Sequence, residues 1–146
     1  MAVAERRADV VWEGGLADGN GHVTSGTGAL GDLPVSWPAR TERPDGKTSP
    51  EELIAAAHAA CYAMALSHVL GEQGTKPERL AVSATVTFDP AKGAITSSRL
   101  EVRGRVPGID QARFEEAARQ GEQGCPVSNA LRGNLEIELD ARLEDS

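Results

Sequence analysis

A chain of 146 residues, 40% of them hydrophobic, is long enough to build one domain around its own core. Its formal net charge of -7, with no basic run to offset it, argues against a general binder of nucleic acid or anionic membrane. Two Trp, two Phe and one Tyr leave most of the core to Ala, Val, Leu and Ile.

The first segment, "MAVAERRADVVWEGG", shows no long apolar run after its charges. No stretch approaches the twenty apolar residues of a membrane span, so neither a signal peptide nor a span is expected, and a cytoplasmic location is the default. "ADVVWEGG" and "NGHVTSGTGAL" read as short strands joined by Gly-rich turns. "GTGALG" formally matches a dinucleotide-binding pattern, but Pro34 and a strand-like "VSW" follow where that pattern needs a helix. Its glycines are therefore read as turn residues. "LPVSWPA" reads as a third strand stopped by Pro38, and "RTERPDGKTSPEE" as a loop entering a helix.

That helix has strong start signals. Ser49 suits the N-cap, Pro50 the first helical position, and Glu51 and Glu52 the positive helix end, with Glu52 placed for a capping box. Nothing interrupts "PEELIAAAHAACYAMALSHVLGEQG" before Gly71 or Gly74. It is apolar on most sides, which predicts burial between sheets or at a subunit interface. "RLAVSATVTFD" and "AITSSRLEVRGRVPG" alternate as strands, paired through "PAKG". "IDQARFEEAARQGEQG" is an amphipathic helix with Asp110 as its cap, "CPVSNALRG" a short helix starting at Pro126, and "NLEIELDARLE" a closing strand. The order predicts a single α+β domain over residues 1–146.

The chemistry-bearing residues are few. Cys61 lies about three turns into its helix, beyond reach of that helix's own dipole, and burial among Ala, Ile, Leu and Met raises a thiol pKa. A reactive Cys61 needs a cation from elsewhere, and Arg40 and Arg43 are the nearest candidates in sequence. Cys125 precedes Pro126 and so suits the N-cap of the short helix, where the dipole favours a thiolate. By helix physics alone it is the better candidate for the more acidic thiol. Two buried, inert hydrophobes is the bland alternative for the pair. His58, Cys61 and His68 fall near one stripe, so His58 is open to three readings: a base for Cys61, a zinc ligand with both cysteines, or a core histidine. Absence of CxxC or HxxxH spacing weighs against zinc, and the core reading is preferred. Tyr62 and Met64 read as packing, and His22 receives no role.

"PEELIAAAHAACYAMALSHVLGEQG", "VPGID" and "GCPVSNAL" together resemble the OsmC branch of the OsmC/Ohr thiol peroxidases, over nearly the whole chain from "WEGG" to "LEIELD". The resemblance implies an OsmC-like α+β fold, with sheets wrapped around a long central helix in an intertwined homodimer. It implies reduction of organic hydroperoxides, and of hydrogen peroxide, in oxidative-stress defence, without metal, haem, flavin or other cofactor. Residue by residue, Cys61 matches the peroxide-attacking cysteine and Cys125 the resolving cysteine that forms a disulfide with it. Arg40 matches the active-site arginine and Glu51 the carboxylate that orients it, with Arg43 and Glu52 as alternatives one loop register away. His58 receives no catalytic role from the resemblance. The implied reductant is a dithiol, dihydrolipoamide or a lipoylated protein, and no nucleic acid or membrane partner is implied. Glu51 and Cys61 lie about 15 Å apart if they share one straight helix, so the expectation is an obligate homodimer with composite sites. Two rivals remain: a non-enzymatic thiol redox sensor, and a dimer that binds a small ligand in an apolar cleft.

Overall fold

In the computed structural model, residues 2–144 are described. They fall into two compact units, one ending at Pro50 and the other beginning at Glu51.

In the first unit, β1 (Ala8–Glu13), β2 (Asn20–Ser25) and β3 (Leu33–Val35) form an antiparallel sheet in that order. The Gly-rich segment between β2 and β3 is a turn, with Gly28 at φ +82°, a value that suits glycine. The third strand is shorter than expected. Pro38 does not merely stop it but sits in the first turn of a helix, α1 (Trp37–Thr41). Ser36 is extended, and its Oγ accepts the Ala39 N–H at 3.2 Å, so a serine cap and an N-terminal proline start a helix where alternation suggested strand.

The second unit carries α2 (Pro50–Glu72), β4 (Arg79–Asp89), β5 (Ala94–Arg105), α3 (Gln111–Gly124), α4 (Pro126–Leu131) and β6 (Glu136–Leu143). β4 and β5 form the expected antiparallel hairpin, with an irregularity at Thr87/Phe88. β6 runs parallel to β5. A parallel pair needs a crossover, and α3 and α4 supply it. Asp110 caps α3 by accepting the Arg113 N–H at 2.9 Å. The core joins Tyr62, Leu66 and Leu70 of α2, Leu100 and Val102 of β5, Phe114 and Ala117 of α3, and Cys125. Phe114 packs so close to β5 that a Cβ at Gly104 would stand 2.5 Å from its ring.

Within one chain α2 buries a single stripe, and it is more apolar than the sequence reading allowed. Its buried residues, Glu51, His58, Tyr62, Leu66 and Leu70, form one stripe, while Ala56, Ala57, Ala60 and Met64 are exposed. Met64, read as packing, is 70% exposed within this chain. By length and apolar content α2 would also suffice to cross a membrane, contrary to the expectation of no such stretch. Alanine accounts for both: it raises apolar content without the bulk that fills a core.

Candidate active site

α2 delivers Cys61 and the α3–α4 junction delivers Cys125, so residues 64 apart in sequence meet on one side of the second unit. Both are free thiols, Cys61 half-buried and Cys125 fully buried. Cys61 lies close enough to Cys125 and to the backbone of Val127 for both to act on its thiol. Cys125 caps α4 as expected, its Sγ accepting the Ser128 N–H at 3.4 Å.

The "CPVS" sequence explains this arrangement. The first-turn N–H groups of a helix have no partner inside the helix. Here Pro126 has none to offer, the Ser128 N–H turns to Cys125, and the Val127 backbone is near enough to Cys61 to draw its pKa down. One short turn therefore serves both sulfurs. Burial pushes the Cys61 thiol up, the Val127 backbone draws it down, and the neighbouring Cys125 pushes it up again; the net direction is upward. The expectation that burial opposes ionisation of Cys61 holds. The contribution from α4 was not foreseen, because sequence does not show which helix end faces which side chain.

His58 is a core histidine. It is fully buried, with Nδ1 2.6 Å from Ser98 Oγ and Nε2 2.7 Å from Ser128 Oγ. Both nitrogens are engaged by hydroxyls, which leaves neither for a metal nor for Cys61, and the base and zinc readings are set aside. Among the described residues no cluster of three or more His, Cys, Asp or Glu side chains stands ready to hold a metal. Burial pulls the His58 pKa down and Glu122 draws it partly back, so the ring is neutral at pH 7. With one N–H on a neutral ring, one serine accepts from His58 and the other donates to it. His68 is exposed and does not share this environment.

α4 is also held at its far end. Arg132, its C-cap, places Nη1 2.8 Å from Glu122 Oε1, an ion pair without hydrogen-bond alignment, and its Nη2 donates to the Glu122 carbonyl at 3.3 Å. Tyr62, next to Cys61, donates its hydroxyl to the Ala118 carbonyl at 3.0 Å, and its pKa is pushed up first by burial and then by Glu122 and Cys125. Ser98, Ser128, Glu122 and Arg132 were not singled out from sequence. For Ser98 and Ser128 the only signal was polarity at positions the strand and helix patterns would bury; the exposed Arg132 carried none.

Arg40 lies in the last turn of α1, not in a loop, with its Cζ 5.9 Å from the centre of the Trp37 ring. Arg43 is exposed beyond the helix. Glu51 is 7% exposed whereas Glu52 is exposed, so burial singles out Glu51 of the two first-turn carboxylates. α2 is continuous from Pro50 to Glu72, which keeps the ten-residue separation of Glu51 and Cys61 at about 15 Å along the axis and about 80° in facing.

A family model described as "OsmC-like protein" matches residues 43–140. The chain is 40% identical over 141 residues to Peroxiredoxin OsmC of Escherichia coli K12, covering 95% of this chain and 96% of that one. It is 30% identical over 136 residues to the organic hydroperoxide resistance protein OhrB of Bacillus subtilis, covering 92% and 96%. Among solved structures, an organic hydroperoxide resistance protein OsmC from Legionella pneumophila superposes with a TM-score of 0.73 at 28% identity, covering 97% of this chain and 99% of that one.

Proposed function

Because this chain belongs to the OsmC/Ohr family, whose members are redox enzymes of peroxidase type, we propose that it reduces organic hydroperoxides through a Cys61–Cys125 thiol cycle. The observation that supports this most is the contact between the two sulfurs, drawn from separate helices and served by one helix turn. In the first step the Cys61 thiolate attacks the distal, hydrogen-bearing peroxide oxygen in line with the O–O bond. That bond breaks, the alcohol leaves with a proton, and Cys61 becomes a sulfenic acid. Cys125 sulfur then attacks Cys61 sulfur, the S–O bond breaks, water leaves, and a disulfide forms. A dithiol, dihydrolipoamide or a lipoylated protein, exchanges with the disulfide and restores both thiols.

Burial raises the Cys61 thiol, so the first step needs a cation to favour the thiolate. We assign that role to Arg40, whose charge persists at every relevant pH and whose planar fork can serve a sulfur and a carboxylate together. Glu51 is assigned as the carboxylate that orients it. The working form is a homodimer, a reading supported by the exposed Ala57, Ala60 and Met64 face of α2 and by exposed Val10 and Val11 on β1. Dependence on a dithiol reductant favours the cytoplasm as its compartment.

The test is hydroperoxide consumption with dihydrolipoamide, comparing tert-butyl or lipid hydroperoxide with hydrogen peroxide. Steady turnover, faster with the alkyl substrates and lost in Cys61→Ser, is expected. Turnover that survives in Cys61→Ser would refute the assignment.

A further inference from the structure

His58 is a fully buried ionisable side chain, one turn from Cys61, that the proposed cycle leaves without a task. Its position is specific. It stands on α2, one turn before Cys61, and its ring spans from Ser98 on β5 to Ser128 on α4. Ser128 is also the residue whose N–H caps Cys125. One residue of α4 thus holds the imidazole through its side chain and the sulfur through its backbone. His58 and Ser98 are fully buried, as is Ser128, so none of the three can exchange its partner for water without moving.

We infer that His58 is a positioning residue for Cys125. The neutral ring pins the first turn of α4 to α2 and β5, and thereby holds the Cys125 sulfur within reach of Cys61. The inference rests on the reading of Cys61 as attacker and Cys125 as resolver. In the resolving step the S–S bond forms as the Cys61 S–O bond breaks, and Cys125 must leave its Ser128 cap to make that bond. A turn fixed by His58 keeps the required movement to the sulfur alone. A turn that is free to shift carries Cys125 away from Cys61. The opposite end of α4 is tied to α3 through Arg132 and Glu122, so loss of His58 frees the cysteine end selectively.

The experiment separates the two chemical steps. One equivalent of tert-butyl hydroperoxide is mixed with reduced protein without reductant, and sulfenic acid at Cys61 and loss of both thiols are followed in time. In His58→Leu, which fills the space but pairs neither serine, sulfenic acid formation should stay within about twofold of the parent protein when the two are compared at the high-pH plateau of each, where a lost Val127 contact no longer limits Cys61 ionisation. Disulfide formation should slow about tenfold, the effect of losing the one of the ring's two buried hydrogen bonds that ties it to α4. Dimedone-trapped Cys61 should accumulate accordingly. Ser128→Ala keeps the backbone cap and removes only the hydroxyl, and it should show the same split if His58→Leu fails to fold. His58→Gln, which offers one donor and one acceptor, should recover part of the disulfide rate. Unchanged disulfide formation in folded His58→Leu or Ser128→Ala overturns the inference, as does equal slowing of both steps, which marks a merely structural role. The parent protein is run alongside: if it forms no Cys61–Cys125 disulfide, the proposed cycle itself fails and the inference falls with it.

Discussion

Substitution of Cys125 separates its two roles, sulfur nucleophile and helix cap. In Cys125→Ser, Oγ can still accept the Ser128 N–H, and serine is among the preferred N-caps. Its stability should stay within about 1 kcal/mol of the parent protein. Cys125→Ala leaves the buried Ser128 N–H without that acceptor, at a cost of about 1–3 kcal/mol. At about 3 °C per kcal/mol for a domain of this size, the alanine variant should melt about 3–9 °C lower, as read by circular dichroism. Chemically the two should behave alike. Each should consume one equivalent of peroxide per chain and lose one thiol, with dimedone labelling Cys61, whereas the parent protein loses both thiols. An alanine variant as stable as the serine variant would refute the capping argument. Dimedone label on Cys125 in Cys61→Ser, with peroxide consumption retained, would reverse the assigned roles.

Arg40→Ala should shift the pH–rate profile for sulfenic acid formation to higher pH, because burial already pushes the Cys61 thiol up. Arg40→Lys should recover little, since an ammonium lacks the planar fork, and an unchanged profile in Arg40→Ala would move the role to Arg43. Gly104→Ala would place a Cβ 2.5 Å from Cε1 and Cζ of Phe114. It should destabilise by about 1–3 kcal/mol in urea melts, with partial recovery when Phe114→Leu is added; additive losses would refute the clash. His58 takes a proton near pH 6.5 in the unfolded chain but, with its pKa lowered by burial, remains neutral further down in the folded one. Between those two values the unfolded state binds more protons, so stability should fall as pH falls, by up to about 1.4 kcal/mol per pH unit. His58→Gln should flatten that slope, and identical slopes in the two proteins would refute the assignment.

Local signals in the sequence determined most of the elements. Ser49 and Pro50 marked the start of α2, Asp110 that of α3, and Cys125 with Pro126 that of α4, because caps and prolines act within a few residues along the chain. Alternation located β4, β5 and β6 for the same reason. Where two local signals competed, at Ser36–Pro38, the cap won over the alternation. Resemblance in the two cysteine segments then indicated the family, and with it the residues worth locating.

Only tertiary structure decided what those residues touch. The parallel pairing of β6 with β5 follows from how α3 and α4 cross over, which no residue pattern in β6 records. The same holds for the face of α2 that is buried: an alanine-rich helix has too little contrast around its circumference to announce a core side, and the larger Tyr62, Leu66 and Leu70 chose it on packing. His58 looked the same in sequence whether core residue, base or ligand. Ser98 and Ser128, 40 and 70 residues away, settled it by meeting both ring nitrogens in the interior. Activation of Cys61 shows the same division. Its own helix could be judged too remote from the sequence alone, because a dipole's reach is measured along the chain. The Val127 backbone near it comes from another helix, and such proximity exists only once the chain has folded.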